Sequence, residues 1–355
     1  MISLIFCGDL RYCPYLKRYT ERLELLSAEY EVLFWNRAGL LLDLPQNYHC
    51  FERPSAENLG KIDKAFDFIR FGRWAKNHIS KSKPEGIIFL STLTAVLLYT
   101  VTKHCPYLFD IRDYSYENIS LFRRIEEKII KRSFFTCISS KGFQAFLPKH
   151  DYVIAHNFNR NERPPEENVR KSKDVYDIVW NGTVRFFDFQ KKYLDLFKND
   201  ARFRLVYHGA GTDLEQFKTY CEKNNIQNVL FTGAYDNGDK SKLLKDADVL
   251  NNCYGGRGGD ELRFAISNRF YDGVLFHIPQ IVESGGYKAR VTEESGVGIA
   301  LDPTEGAPDR LYDYLMGVDR SLFAKNCDTL LDEIMREDDA YIAKIDGYIK
   351  ETVKK

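Results

Sequence analysis

The sequence predicts an α/β protein built from two successive units, each a parallel sheet covered by helices. Short apolar segments alternate with amphipathic ones through the first half of the chain, and this alternation restarts near residue 175. Strands of parallel sheets are buried on both faces, so they appear as continuous apolar segments of this kind. A polar stretch with two prolines, 157–174, separates the halves and has the composition of a linker. Two Rossmann-like domains with a cleft between them are therefore expected.

In the first half, apolar runs rich in β-branched and aromatic residues predict strands, and the amphipathic segments between them predict helices. The expected strands are 2–8, 30–36, 48–53, 85–90, 107–111, 134–140 and 152–157. The expected helices are 15–29, 61–83, 94–104 and 121–133.

The same patterns in the second half predict a unit of similar size. Its expected strands are 176–182, 203–209, 228–233, 248–254, 278–283 and 296–301. Its expected helices are 189–199, 213–224, 240–247 and one that starts at about Ser267, followed by a helical tail over 311–355.

Composition excludes several classes of protein. The chain has 51 basic and 51 acidic residues, a balance that argues against a dedicated nucleic-acid binder. Its eight cysteines never stand as CxxC, which favours reduced thiols of the cytoplasm over zinc ligands or disulfides. The N-terminus lacks the basic start of a signal peptide, and no apolar segment reaches the roughly 18 residues of a membrane span. We therefore expect a cytoplasmic protein.

Three strands of the second half end in glycine, at Gly182, Gly209 and Gly233. Glycine at a strand end lets the backbone approach a ligand and leaves the following N–H groups available to phosphate. Tight turns would explain any one of these glycines, but three at one edge of one sheet favour a nucleotide site. The GAG at 209–211 lacks the further glycine of a dinucleotide fingerprint, so an NAD signature is absent.

Two loops beside these strand ends have open interpretations. Arg185 follows Gly182 and either pairs with a diphosphate or is a solvated loop residue. The segment GGRGGDE, 255–261, is either a mobile lid or a flexible surface loop, and it lacks the Lys-Ser/Thr ending of an ATP-binding loop.

The segment SNRFYDGVLFHIPQIVESGG, 267–286, contains one carboxylate, Asp272, in an apolar context. Asp272 is either a charge at a helix start or a ligand-binding group. The whole segment resembles the donor-nucleotide segment of GT-B glycosyltransferases of the family-4 type, particularly the bacterial enzymes of capsular polysaccharide, exopolysaccharide and O-antigen synthesis. The strand–helix segments before it, and YLFDIRDYSYEN, CISSKGFQAFL and VIAHNFN in the first half, are similar to segments of that family in the same order.

The resemblance implies a GT-B fold, with an acceptor domain over 1–160, a linker over 161–174 and a nucleotide-sugar domain over 175–335. C-terminal helices would cross back to the first domain, with 336–355 packing on it. The implied activity is transfer of a sugar from a UDP- or GDP-linked donor to an acceptor hydroxyl, with retention and without a metal or other cofactor. No Asp-x-Asp motif stands in a suitable loop, and helix dipoles and arginines would neutralise the diphosphate instead.

The resemblance also implies roles for particular residues of the donor site. Asp272 would accept the two ribose hydroxyls, Arg185 and Arg269 would face the diphosphate, and Tyr235 would contact the base. The remaining implied donor residues are Asn268, which would order the helix start, and Gly182, Gly209, Gly211, Gly285 and Gly286, which would offer backbone near the phosphates or sugar.

Two departures from the family's pattern stand out. Phe264 occupies the position of the first of two expected glutamates, so that contact is missing or moves to Asp260 or Glu261. The histidine that many members carry after the strand YLFDI is also absent, and Arg112 and Asp113 occupy that loop.

The first-half candidates have alternatives of their own. Asp113 would orient the acceptor hydroxyl or take its proton, and otherwise it caps the next helix. Arg112 would offset charge on the leaving diphosphate. Asp9, after the first strand, is a weaker candidate for acceptor contact.

Two basic segments with interleaved aromatic residues, 61–83 and 121–135, suit an anionic membrane surface. The first carries seven basic and two acidic residues. Such a surface would fit a lipid-linked oligosaccharide acceptor, whereas the alternative is a pair of ordinary helices that pack their aromatic residues inward.

Two further functions remain open from the sequence: a nucleotide-sugar 2-epimerase, and a non-catalytic transferase-like subunit that stabilises a partner.

Overall fold

The structure, a computed structural model, describes residues 1–41, 43–55, 60–160, 174–255 and 261–353. The chain divides into two compact units, one of Met1–His156 with Arg336–Lys355 and the other of Asn157–Met335. Apart from its last residue, the predicted linker 161–174 lies outside the described residues, as does most of the glycine-rich segment 255–261 with Asp260.

The first unit contains a seven-stranded parallel sheet. Its strands are β1 (Ile2–Phe6), β2 (Tyr30–Asn36), β3 (Tyr48–Glu52), β4 (Gly86–Phe89), β5 (Tyr107–Ile111), β6 (Phe135–Ile138) and β7 (Val153–Ile154). The strand order is β3-β2-β1-β4-β5-β6-β7. Its helices are α1 (Leu16–Leu25), α2 (Lys61–Ser82), α3 (Thr92–Leu97) and α4 (Ser120–Arg132), with the C-terminal part of α12 (Arg320–Val353).

Helices cover both faces of this sheet because alternate strand residues point in opposite directions. On one face, Phe34 packs in a core with α1 and with Tyr341 and Tyr348 of α12. On the other face, the neighbouring Trp35 stacks on Phe71 of α2, with ring centroids 6.1 Å apart. The apolar residues of α12 recur every three or four positions, which is the spacing that buries one stripe of a helix.

The second unit contains a six-stranded parallel sheet of order β10-β9-β8-β11-β12-β13. Its strands are β8 (Tyr176–Asn181), β9 (Phe203–His208), β10 (Val229–Gly233), β11 (Val249–Asn251), β12 (Gln280–Val282) and β13 (Gly298–Ala300). Its helices are α5 (Phe187–Leu196), α6 (Leu214–Lys223), α7 (Lys240–Leu244), α8 (Glu261–Phe264), α9 (Asn268–Leu275), α10 (Tyr287–Glu294), α11 (Ala307–Gly317) and the N-terminal part of α12. Aromatic side chains dominate its core, including Trp180, Tyr193, Tyr207 and Phe217.

Two expected elements differ in the structure, and one helix is additional. The single helix predicted over 94–104 is wrong: α3 ends at Leu97, and a short 3-10 helix follows at Val101–Lys103. Thr100, Val101 and Thr102 are β-branched, which lowers helix propensity. The predicted helical tail is interrupted between α11 and α12, where the Asp319 side chain accepts hydrogen bonds from the N–H groups of Ser321 and Leu322 at 2.9 and 3.0 Å. Helix α10 was not predicted.

None of the helices in the described ranges combines the length and the apolarity that crossing a membrane requires.

Candidate functional site

The carboxyl ends of β8, β9 and β10 meet at one edge of the second sheet, as the three glycines predicted. Asn181 pairs with His208 in the β8–β9 register, and His208 pairs with Gly233 of β10. Gly182, Gly209 and Gly233 all have positive φ, at 106°, 139° and 82°. These backbone conformations favour glycine because a side chain would be strained in them.

The glycines at this edge have different surroundings. A Cβ on Gly209 would lie 1.9 Å from the carbonyl oxygen of Gly182, and one on Gly211 would lie 2.1 Å from that of Val184. These two glycines therefore allow two loops of the protein to cross closely. Gly233 and Gly285 have no described atom within 4 Å of such a Cβ, so their backbone borders open space.

Arg269 joins the ends of the two central strands. Its Nε and Nη2 donate to the carbonyl oxygen of Asn181 at 3.0 and 2.8 Å, and Nη1 donates to that of Asn251 at 2.8 Å. The guanidinium lies 3.7 Å from the ring centroid of Trp180, and burial lowers its pKa. These hydrogen bonds go to neutral carbonyls, so the buried cation contributes a positive charge to this edge.

Asp272 lies in the middle of α9 rather than in its first turn, so the alternative of a helix-start charge is wrong. The cap of α9 is Ser267, whose Oγ accepts from the N–H of Phe270 at 3.3 Å, while Asn268 is exposed. Asp272 is buried, with Oδ2 accepting from Asn181 Nδ2 at 2.8 Å and Oδ1 from Lys240 Nζ at 2.9 Å. The carboxylate thus connects α9 to the end of β8 and the start of α7.

Tyr235 belongs to the same cluster. It is half-buried. Burial, and then the charge of Asp272, raises the pKa of the Tyr235 hydroxyl. The structure therefore places Tyr235 near Asp272; the resemblance assigns the first to the base and the second to the ribose.

A second cation lies at the start of α10. Lys288 is buried; its Nζ donates to the carbonyl oxygen of Asn252 at 2.5 Å and lies 3.1 Å from Glu283 Oε2. The same Nζ is 4.3 Å from the ring centroid of Tyr254. Gly286 is the N-cap residue of this helix and Gly285 precedes it, so α10 begins at the glycine pair that the sequence singled out.

Several cations lie at this edge. Arg185 is exposed and lies 4.6 Å from the ring centroid of Phe186, and its charge contributes to the lowered pKa of Arg269. Of the six charged side chains described here, the four cations are Arg185, Lys240, Arg269 and Lys288, and the two carboxylates are Asp272 and Glu283. Buried cations in low dielectric are suited to bind a polyanion.

Sequence reasoning missed Lys240, Asn181, Lys288 and Glu283. Two signals were available: Asn181 directly precedes a strand-end glycine, and Lys288 follows the glycine pair by two residues. Lys240 had no such signal, because its pairing with Asp272 connects residues 32 positions apart.

The first-unit candidates have different environments. Arg112 is buried beside Asp110, with Nε 2.7 Å from Oδ1, and it donates to the carbonyl oxygen of Ala155 at 2.8 Å. Burial, the largest single effect, lowers the pKa of Arg112, but Asp110 together with Tyr341, Tyr19 and Cys137 outweighs it and holds the pKa well above the ordinary value. These contacts favour a structural role for this guanidinium.

Asp113 is exposed, and Asp9 is buried. The cap position of α4 is Ile119, so the alternative that Asp113 caps the next helix is wrong. Asp9 Oδ1 accepts from the N–H of Ala38 at 3.4 Å, and Oδ2 lies 3.9 Å from Arg11 Nη2.

Two buried carboxylates, Glu117 and Glu126, follow β5 in the same unit. Burial, and then the charge of Glu117, raises the pKa of Glu126 to about 8. Neither carboxylate oxygen of Glu126 has a hydrogen-bond partner among the described residues.

The fold is similar to that of several solved structures at low sequence identity. Sucrose-phosphate synthase from Thermosynechococcus elongatus superposes with a TM-score of 0.69 at 10% identity, covering 99% of this chain and 98% of that chain. HepE from Anabaena, in complex with UDP, gives 0.68 at 12% identity and 99% of both chains. The lipopolysaccharide outer core galactosyltransferase WaaB gives 0.59 at 14% identity, covering 92% and 94%.

No protein-family model matches the chain, and no curated protein sequence matches it. The chain therefore has an α/β fold with two parallel sheets, of seven and six strands. This arrangement is the GT-B fold, as the resemblance in the sequence implied.

Proposed function

We propose that this protein is a family-4-type glycosyltransferase that transfers a sugar from a nucleoside-diphosphate sugar to an acceptor hydroxyl. The observation that carries the proposal is the pair of buried cations, Arg269 and Lys288, at the carboxyl ends of the second sheet, beside the open backbone at Gly233 and Gly285. Ligands of doubly wound sheets bind at this edge. The fold is similar to that of HepE, whose structures contain UDP and UDP-glucose, and this similarity supports a nucleoside-diphosphate sugar as the donor.

The diphosphate would be bound by Arg185 and by the charge of Arg269 and Lys288, with the N-terminus of α10 adding its dipole. In the transfer, the bond between the anomeric carbon and the diphosphate oxygen breaks, the acceptor oxygen bonds to that carbon, and the hydroxyl proton passes to the departing diphosphate. The positively charged side chains would stabilise the negative charge that develops on the diphosphate. The proposed reaction therefore needs no metal, and it retains the configuration of the sugar. Asp113, exposed after β5, is the proposed group for orienting the acceptor hydroxyl.

The ribose would bind at Asp272. A carboxylate offers about four lone-pair sites, and Lys240 and Asn181 use one on each oxygen. Each oxygen therefore keeps one lone-pair site that could accept from a hydroxyl of the ribose diol. Tyr235, whose pKa the charge of Asp272 helps to raise, would contact the base.

Asp272→Asn is expected to lower the affinity for UDP or GDP by roughly 10- to 100-fold, because a hydrogen bond to a charged group contributes about 1.5–3 kcal/mol. Calorimetry with the ribonucleotide and its 2′-deoxy analogue would test the contact directly. Wild type should prefer the ribose form, and the variant should lose that preference.

Asp188→Asn, an exposed carboxylate on α5 with a side chain 74% accessible, is the matched control and should bind like wild type. Equal affinity of wild type for the ribose and deoxyribose ligands would reject the role of Asp272. If wild type bound no nucleoside diphosphate at all, the enzyme proposal itself would be wrong, and binding without transfer would favour a non-catalytic subunit.

The proposed acceptor is a lipid-linked oligosaccharide in bacterial surface polysaccharide synthesis, reached from the cytoplasmic face of the membrane. Helix α2 packs Phe71 against the sheet but exposes Ile62, Phe66 and Ile69, with side chains 73%, 56% and 50% accessible. These residues are four and three positions apart, so they form one exposed stripe. Basic residues follow on the same helix, which suits an anionic interface.

Phe66→Asp is expected to reduce binding to vesicles of phosphatidylglycerol and phosphatidylcholine by about tenfold, because it removes a ring from the apolar side and adds a negative charge. Co-sedimentation with these vesicles would measure the change. Leu322→Asp, a 55% exposed position on α12, serves as control and should leave vesicle binding unchanged. Equal binding of both variants, or none by wild type, would contradict a membrane contact through α2.

A further inference from the structure

Three side chains with metal-ligating atoms meet in the first unit. Glu31 of β2, His49 of β3 and His78 of α2 each direct one such atom to a common point, and these atoms all lie within 4.8 Å of one another. Glu31 Oε2 lies 2.8 Å from His78 Nε2 and 3.5 Å from His49 Nε2. The two imidazole rings are 4.4 Å apart between centroids.

The topology of the unit brings these residues together. Glu31 and His49 are each the second residue of their strand, and His49 pairs with Leu33, which shares a face with Glu31. Helix α2 runs from β3 back to the start of β4, so its last turns lie over the amino ends of the parallel strands. His78 and Ser82, one turn apart near the end of α2, both reach Glu31.

The carboxylate is oriented before any ligand arrives. Ser3, the register partner of Glu31 on β1, donates to Oε1 at 2.5 Å, and Ser82 donates to the same oxygen at 2.9 Å. Oε2 is therefore the oxygen that faces the two imidazoles. Hydrogen bonds that fix a ligand in this way are typical of metal sites and raise their affinity.

We propose that Glu31, His49 and His78 form a binding site for a divalent transition metal, with Zn²⁺ the best match. Two imidazoles and a carboxylate are a common ligand set for zinc and for first-row metals. Bonds of 2.0–2.1 Å in tetrahedral geometry separate ligand atoms by about 3.3 Å, and Glu31 Oε2 lies 2.8 and 3.5 Å from the two imidazole nitrogens. The His49 and His78 side chains are 37% and 26% exposed, so water can complete the coordination.

The site lies at the amino ends of β1, β2 and β3. Asp9 and Asp113, the proposed acceptor-side residues, follow the carboxyl ends of β1 and β5, at the opposite edge of the same sheet. The metal would therefore connect two strands and a helix, stabilising the first unit without taking part in sugar transfer. This inference does not depend on the proposed function.

The experiment uses the full chain without a histidine tag, after treatment with a chelator. Isothermal titration with Zn²⁺ should give one bound ion per chain, and a tenfold excess over the dissociation constant should raise the free energy of unfolding by about 1.4 kcal/mol. Titration with Cu²⁺ should quench tryptophan fluorescence, because the ring of Trp74 lies 6.1 Å from that of His78.

His49→Ala and His78→Ala should each weaken binding at least tenfold, whereas His104→Ala, an exposed histidine outside the cluster, should not. His49 is the most exposed of the three ligands, so this variant is expected to fold. Binding that persists in the His49→Ala, His78→Ala double variant would overturn the proposal. So would the absence of stoichiometric binding of Zn²⁺, Co²⁺ and Ni²⁺ to wild type, since the cluster would then be a hydrogen-bonded one only.

Discussion

Arg112→Met is expected to destabilise the first unit by roughly 3–5 kcal/mol, because it leaves a buried carboxylate without its cation. Asp110 is fully buried, and both of its oxygens contact the guanidinium, at 2.7 and 2.8 Å. Asp110 also accepts a hydrogen bond from the Tyr19 hydroxyl at 2.7 Å. Chemical denaturation at neutral pH, followed by far-UV circular dichroism, would measure the loss.

A double variant separates lost charge pairing from lost packing. Asp110→Asn removes the negative charge but retains an oxygen for Tyr19, so combining it with Arg112→Met should recover about half or more of the lost stability. If Arg112 instead offsets charge on the leaving diphosphate, Arg112→Met should lower turnover and leave the free energy of unfolding unchanged. If Arg112→Met retained full stability and lost only turnover, the structural interpretation of this residue would be wrong.

Glu126→Gln is expected to stabilise the protein above pH 8 by several kcal/mol and to have little effect near pH 4. The folded-state pKa of Glu126 is raised to about 8 from the ordinary 4.5. The unfolded chain therefore releases this proton at lower pH, and stability falls by about 1.4 kcal/mol for each pH unit between these two values. The contribution of protonated Glu126 is fully present below pH 4.5 and is lost as the pH rises through 8.

Thermal or denaturant unfolding across pH 4–9 would measure this dependence. Glutamine keeps the shape of the protonated acid, so the variant should lose most of the decline in stability over this range. Glu127→Gln, at the exposed neighbouring position on the same helix, should follow the wild-type curve. Parallel curves for wild type and Glu126→Gln would show that the carboxylate is not held protonated by the fold.

Most of the architecture could be predicted because it depends on local patterns. The apolar runs of β1, β5 and β8 are buried throughout, and such continuity already indicates a parallel sheet. The predicted helix bounds were wrong where helix propensity is weak, and where a polar side chain outside the apolar pattern determines where a helix begins. Asp319 interrupts the helical tail by capping α12, and residues 101–103 tighten into a 3-10 turn.

Part of the arrangement at the candidate donor site could be predicted. The three glycine-ended strands were expected to end at one edge of the second sheet, and they do, because the carboxyl ends of adjacent parallel strands meet there. The partners of Asp272 could not be predicted, since Lys240 reaches it from another element through the tertiary fold. The cluster of Glu31, His49 and His78 was missed for the same reason: its residues have no motif spacing, and three separate elements supply them.

Helix α12 has a consequence for how the protein is made. It runs from Arg320 to Val353 without interruption, yet its residues before 336 belong to the second unit and those after 335 to the first. Tyr341, Ile345 and Tyr348 fill the core under β1 and β4, so residues 1–156 lack part of that core until the ribosome has translated the whole of the second unit. The unit translated first therefore completes its core last, and its apolar face stays uncovered for as long as the second unit is being translated.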